Sequence, residues 1–214
     1  RGLSKGFPGV WEHLILDKLD FDVRSGEVHT LLGENGAGKT VIANILSGYY
    51  EKTEGEIRVK GKLVHFRSPR EGLAHGIAMV HQELMLVPAF TVAENIMMGL
   101  DVPLFSYDIT SVENRIRMLV ERYGLQVDPK ALVEDLSAGQ QQRVEILKVL
   151  FHEPEVLLLD EPTSLLTPSE ADQLFTVLRA MADDGKGIVF ISHKMREVFA
   201  VSDRVTVLKL GKTQ

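Results

Sequence analysis

Cysteine is absent from the 214 residues, and with it go disulfides, thiolate metal sites and cysteine nucleophiles. Long hydrophobic runs are missing as well. No apolar stretch approaches the roughly 20 residues that span a bilayer, and no signal-peptide pattern opens the chain. A positive excess is also lacking: the formal charge of −6 argues against holding nucleic acid by general electrostatic attraction. There is no internal repeat and no low-complexity linker. These absences describe a soluble polypeptide, and any membrane role is expected through a partner. What the chain does have is apolar content. Hydrophobic residues make up 44%, enough for a substantial core in one large domain or a domain with a subdomain. Because it begins at Arg1 and stops soon after the apolar run Val205-Thr206-Val207-Leu208, it is read as an excerpt of a longer protein.

Strand and helix patterns alternate. Val28-His29-Thr30-Leu31-Leu32 reads as a buried strand, and Val41 to Ser47 as a helix stopped by Gly48. Ile57–Lys60 and Lys62–His65 flank Gly61 as an antiparallel hairpin. Ile77-Ala78-Met79-Val80 reads as a strand entered through a turn at Ser68-Pro69. From Pro88 to about Glu134 the spacing turns helical, with a capping box at Thr91-Val92-Ala93-Glu94 and Val112, Ile116, Leu119 and Tyr123 on one face before Gly124. Val156–Asp160 and Gly187–Ile191 are continuous apolar runs, the mark of parallel strands covered on both faces. Between them Thr167-Pro168-Ser169-Glu170 opens a helix whose buried stripe is Leu174, Phe175 and Leu178. The expectation is an α/β fold with a parallel sheet and an inserted helical part.

Three constellations carry chemistry. Gly33-Glu34-Asn35-Gly36-Ala37-Gly38-Lys39-Thr40 fits G-x-x-x-x-G-K-[ST] between a strand and a helix. Glycines there let successive backbone N–H groups converge on a phosphate, and the helix N-terminus adds partial positive charge. Lys39 would reach the outer phosphates, and the Thr40 hydroxyl would ligate Mg²⁺. Second, the run ending in Asp160-Glu161 delivers carboxylates to a strand's C-terminal end, where open α/β sheets bind ligands. Asp160 would hold Mg²⁺ through water, and Glu161 would take a proton from an attacking water. Third, Leu136-Ser137-Ala138-Gly139-Gln140 precedes an amphipathic helix, Gln141 to Leu150. Ser137 and the small pair after it suggest an open helix N-terminus suited to an anion.

In this order the motifs resemble those of the nucleotide-binding domain of ABC transporters, over essentially the whole chain. That family runs through a phosphate loop, a glutamine, an LSGGQ-like signature, an Asp-Glu strand and a histidine. Their counterparts are Gly33–Thr40, Gln82, Leu136–Gln140, Asp160-Glu161 and His193. The resemblance implies a single domain over 1–214: a P-loop NTPase parallel-sheet core, an antiparallel β subdomain and a helical subdomain at about 84–150. It implies ATP and Mg²⁺ as ligands and a head-to-tail partner domain, separate or fused. Ser137, Ala138, Gly139 and Gln140 would then face the nucleotide held by that partner. Gln82 would contact Mg²⁺ and the attacking water, and His193 would contact the γ-phosphate and help position Glu161. An aromatic residue would stack on adenine. Phe7 matches the local motif and is preferred, although Trp11 lies nearer the usual distance.

Further stretches, Ser68-Pro69-Arg70, Val80–Pro88, Thr91–Asn95 and Gln141–Lys148, resemble importers of simple sugars and nucleosides. In that subfamily two ATPase domains are commonly fused in one chain, and this sequence resembles the first of the two. This implies an ATPase at the cytoplasmic face of the membrane, peripheral, bound to a permease and indirectly served by a solute-binding protein, with no nucleic acid. Two alternatives stand: a soluble ABC ATPase uncoupled from transport, and a non-hydrolysing regulatory half. Three departures bear on the site. Val41 replaces a usual second hydroxyl, Thr167 stands where many relatives carry Asp, and the family's first strand normally begins before Arg1.

Overall fold

The structure is a computed structural model that describes residues 1–7, 14–100 and 108–214. In chain order the elements begin with β1 (Leu3–Lys5), β2 (Leu16–Leu19), β3 (Val28–Leu32) and α1 (Lys39–Leu46). They continue with β4 (Ile57–Val59), β5 (Lys62–Val64), α2 (Pro69–Ala74), β6 (Ile77–Val80), α3 (Val92–Met98) and α4 (Ile109–Tyr123). The second half adds α5 (Ala138–Leu150), β7 (Val156–Asp160), α6 (Pro168–Asp183), β8 (Gly187–Ser192), α7 (Met195–Val201), β9 (Arg204–Lys209) and β10 (Lys212–Thr213).

The main sheet runs β10-β9-β3-β8-β7-β6. Its last five strands are parallel, and β10 folds back antiparallel on β9. The continuous apolar runs occupy its middle: all six residues of β8 and four of the five in β7 are buried. Successive side chains point to opposite faces, so Leu157 and Leu159 join one core while Leu158 joins another. The first core lies against α3, α4, α5 and α6 through Ile96, Ile116, Leu147 and Leu178. The second lies against α1 through Ile42 and Ile45, and reaches Leu3, Leu16 and Leu19 of the β1–β2 pair. Each such leucine or isoleucine contributes about 1.5–3 kcal/mol by leaving water. β4 and β5 form the expected antiparallel hairpin.

Helix starts follow side-chain caps. Thr91 and Thr167 each form a full capping box with the Glu three residues on, as the sequence suggested. Three boundaries differ from expectation, and the first is α1, which starts at Lys39 rather than Val41. Ser68-Pro69 is no simple turn: Ser68 accepts a hydrogen bond from the Glu71 N–H and Pro69 occupies the first helical position, so the pair opens α2. Likewise α5 starts at Ala138 rather than Gln141, because Ser137 caps it. No helix among the described residues is long and apolar enough to cross a membrane.

Candidate functional site

The phosphate loop joins β3 to α1 at the C-terminal edge of the sheet. Its shape depends on glycine at two places. Gly38 has φ 104°, and a Cβ there would sit 2.7 Å from Leu16 Cδ2. At Gly33 a Cβ would fall 2.5 Å from the Leu208 carbonyl oxygen. Unlike the helices with capping boxes, α1 has no side-chain hydrogen bond at its N-cap and no acid in its first turn. No side-chain cap therefore competes with an outside anion for its N-terminal N–H groups. Glu34 and Asn35 are exposed beside Gly36, which has φ 80°, and Ala37 is buried.

Lys39 is only 5% exposed. Its Nζ donates to the carbonyl oxygens of Gly33 at 2.8 Å and Glu34 at 3.0 Å, and lies 3.8 Å from Glu161 Oε1. The same Glu161 oxygen lies 3.1 Å from His193 Nδ1. Three of the residues marked from sequence thus meet at one carboxylate oxygen, from α1 and from the ends of the adjacent strands β7 and β8. Glu161 itself has φ 46°, a left-handed conformation unusual for a residue with a side chain, and its N–H donates to the Ile191 carbonyl at 3.1 Å. Strain of this kind collects at functional turns.

Asp160 is 3% exposed, and among the described residues its Oδ1 has no hydrogen-bond partner. Burial holds its carboxyl above the usual carboxylate range, with a hydrogen bond from Thr40 pulling the other way and the neighbouring Glu161 charge adding to the rise. An orphaned buried carboxylate oxygen costs stability unless a donor or cation meets it. Oxygen ligands beside a phosphate site suit Mg²⁺, which keeps several waters and takes one or two protein groups. Thr40 and Asp160 fit that role.

Gln82 follows β6, the strand next to β7, and is exposed. Among the described residues no hydrogen bond joins it to Asp160 or Glu161. The segment after it is tied to α5: the Met85 N–H donates to Glu145 Oε1 at 2.6 Å, and Lys148 Nζ donates to the Met85 carbonyl at 2.8 Å. His81, read as structural, stacks edge-on to Tyr49 with ring centroids 4.8 Å apart.

The N-terminus of α5 is not open, and here the expectation is corrected. Ser137 and Gln140 form a capping box, and the Ser137 hydroxyl also donates to Glu170 Oε1 at 3.3 Å. Gly139 lies under the same carboxylate, since a Cβ there would stand 2.6 Å from Glu170 Oε1. Ala138 and Gln140 are half-buried. Phe7 is half-buried, edge-on to Tyr50 at 5.5 Å, with Lys5 Nζ 4.7 Å from its ring centre. Trp11 lies outside the described residues. Sequence reasoning missed the second role of Glu170, which it marked only as a helix cap. It also missed Glu197, whose signal was an acid four residues after His193 in a short, mostly apolar helix.

Comparison with known proteins gives a consistent answer. The family model described as "ABC transporter" matches residues 16–164. The nucleoside import ATP-binding protein NupA of Lactococcus lactis is 50% identical over 92% of this chain and 39% of its own length. The ribose import ATP-binding protein RbsA 1 of Rubrobacter xylanophilus is 46% identical over 99% of this chain and 42% of its own. The chain thus spans about two fifths of the length of these curated relatives. Among solved structures, the ADP conformation of MJ1267, an ATP-binding cassette of an ABC transporter, superposes with a TM-score of 0.87 at 25% identity, over all of this chain and 87% of that one. The dimeric MJ0796 cassette shares the fold with a TM-score of 0.83 at 24% identity, over all of this chain and 95% of that one. The family model's match takes in both the phosphate loop and the Asp160-Glu161 turn, and the chain belongs to the ABC transporter family.

Proposed function

We propose that this chain binds and hydrolyses ATP to energise the import of a small solute, a simple sugar or nucleoside, through a membrane permease. The observation that carries the reading is the meeting of Lys39, Glu161 and His193 beside an uncapped helix N-terminus, next to the unpartnered oxygen of Asp160. The named functions of NupA and RbsA 1 support the choice of nucleosides and sugars.

In this mechanism the N–H groups of Gly36 to Thr40 cradle the phosphates, and Lys39 turns from the loop carbonyls to the outer phosphates. Thr40, Asp160 and Gln82 would hold Mg²⁺, which when bound neutralises charge on the outer phosphates. Glu161 takes the proton of the attacking water, and His193 holds the Glu161 carboxylate and contacts the γ-phosphate. Phosphoryl transfer asks little more of a protein than positioning and charge stabilisation.

Residues 1–214 make up one nucleotide-binding domain with a helical subdomain at about 84–150. A second such domain would bring its nucleotide to Ser137–Gln140, and Phe7 or Trp11 would stack on adenine. The assembly sits peripherally on the cytoplasmic face of the membrane, with a solute-binding protein feeding the permease and no nucleic acid involved. Met85 and Phe90 are exposed apolar residues in the segment that follows Gln82 and suit a short permease helix lying in a groove.

Steady-state hydrolysis of Mg·ATP by the full-length protein, with cargo uptake in vesicles holding its permease, tests the proposal. Hydrolysis without uptake dependence favours an uncoupled ATPase, and ATP binding without hydrolysis favours a regulatory half. Replacing Met85 or Phe90 by Glu should leave the fold intact and abolish uptake.

A further inference from the structure

We infer that Glu197 is a positioning residue for the hydrolysis proposed above, fixing the separation of Glu161 and His193; this rests on that reading. The two side chains come from the ends of neighbouring strands and touch at 3.1 Å, but the imidazole is 43% exposed. A contact so open to water is worth too little to hold two turns in register.

Beneath it lies a stronger tie. Glu197, in the first turn of α7, is 7% exposed. Its Oε1 accepts from the Thr163 hydroxyl at 2.7 Å and its Oε2 from the Ser192 hydroxyl at 2.7 Å. Thr163 follows Glu161 by two residues, and Ser192 immediately precedes His193. Both hydroxyls are buried, at 2% and 3% exposure. One carboxylate therefore binds the turn carrying the base to the turn carrying the histidine, through two charge-assisted hydrogen bonds. Lys194 completes the tie: its Nζ lies 3.0 Å from Glu197 Oε1 and donates to the Thr163 carbonyl at 3.2 Å, while its N–H donates to Ser192 Oγ at 3.1 Å.

The tie answers a specific need. Glu161 occupies a left-handed backbone conformation at φ 46°, which persists only where the surroundings over-determine it. A misplacement of about 1 Å between reacting groups costs on the order of 10²-fold in rate. Glu197 touches neither substrate nor water in this scheme and acts through the two turns alone.

The test uses the full-length protein. Glu197→Ala should lower kcat for Mg·ATP hydrolysis about 10–100-fold while KM moves less than about threefold. Glu197→Gln can accept from one hydroxyl and donate to the other, and should recover most of the loss. In a His193→Ala background, Glu197→Ala should add little, because both changes break the same geometry. Without nucleotide, amide exchange in Glu197→Ala should quicken at Glu161 and stay unchanged in β3 and α1. Full additivity with His193→Ala, unchanged kcat, or exchange raised evenly through the sheet would each overturn the assignment. Absence of hydrolysis in the wild-type protein would sink the ATPase reading instead, and the amide exchange would still decide the tie.

Discussion

Two helix N-termini, those of α1 and α5, carry motifs that suggest an anion, yet the fold finishes them in opposite ways. At α1 the N-cap is Gly38 in a left-handed conformation, with no side-chain cap and no acid in the first turn. At α5 Ser137 and Gln140 close a capping box, and the Glu170 carboxylate accepts a hydrogen bond from the Ser137 hydroxyl. A serine hydroxyl has one proton to donate, so Ser137 can meet a phosphate only by giving up Glu170. The first terminus holds its N–H groups free of any side-chain cap. The second stabilises its own helix and must exchange one acceptor for another. This difference suits a loop that binds nucleotide within one domain and a signature that serves a partner's nucleotide.

The largest effect should come from the group that works at the first terminus without binding there. Glu161→Gln should lower hydrolysis about 10²–10⁴-fold, the usual cost of losing a general base, with Mg·ATP binding retained. Steady-state and calorimetric measurements on the same preparation check both halves of this expectation. Lys39→Ala comes next. Loss of a charge-assisted contact worth about 1.5–3 kcal/mol should weaken Mg·ATP binding about 10–100-fold and leave circular dichroism unchanged. Unaltered affinity by calorimetry would mean that α1 is not the primary phosphate site.

Ser137→Ala sharpens the contrast. Loss of a cap should destabilise the domain by about 1 kcal/mol, read in denaturant titration. ATP affinity of the single domain should not change, while ATP-driven association with a partner domain falls. Equal loss at both steps would erase the distinction between the two termini.

Asp160→Asn tests the first terminus from the stability side. Burial raises the Asp160 pKa from its ordinary 3.8, so the folded protein binds this proton more tightly than the unfolded chain does. Stability is then lost as pH rises from the ordinary value through the raised one. At neutral pH the nucleotide-free variant should melt a few degrees above wild type, and the gap should close as pH falls toward 4. A gap that widens on acidification contradicts an unpaired buried charge. The smallest effect belongs to Glu170→Gln. Gln also serves the third position of a capping box, so the melting temperature should hold, while removal of a competing negative charge raises ATP-driven association a fewfold in equilibrium sedimentation.

Much of this site was legible because it is written in local patterns. The phosphate loop, the strand delivering Asp160-Glu161, and the caps at Thr91 and Thr167 each depend on residues within a few positions of one another. The start of α5 was misplaced because Gly139, a poor helix former, interrupts the pattern there, while the Ser137–Gln140 hydrogen bonds fix the boundary. Ser68-Pro69 misled for a related reason, since turns and helix starts share the same opening residues. The convergence of Lys39, Glu161 and His193 was expected only through family resemblance. No spacing rule brings residues 122 and 32 positions apart to one oxygen.

By itself, then, the sequence determined the main strands and most helices, their alternation, and the chemistry available at each strand end, because backbone preference and hydrophobic period act over a few residues. Only the tertiary structure decided how those ends face one another. Parallel pairing of β7 with β8 sets Asp160 opposite Ile191, which brings Glu161 beside His193 and makes room for Glu197 to join their turns. It also laid Glu170 across the start of α5 and left one Asp160 oxygen without a partner. These are contacts between residues far apart in the chain, set by packing of the sheet and its covering helices, and no short-range preference encodes them.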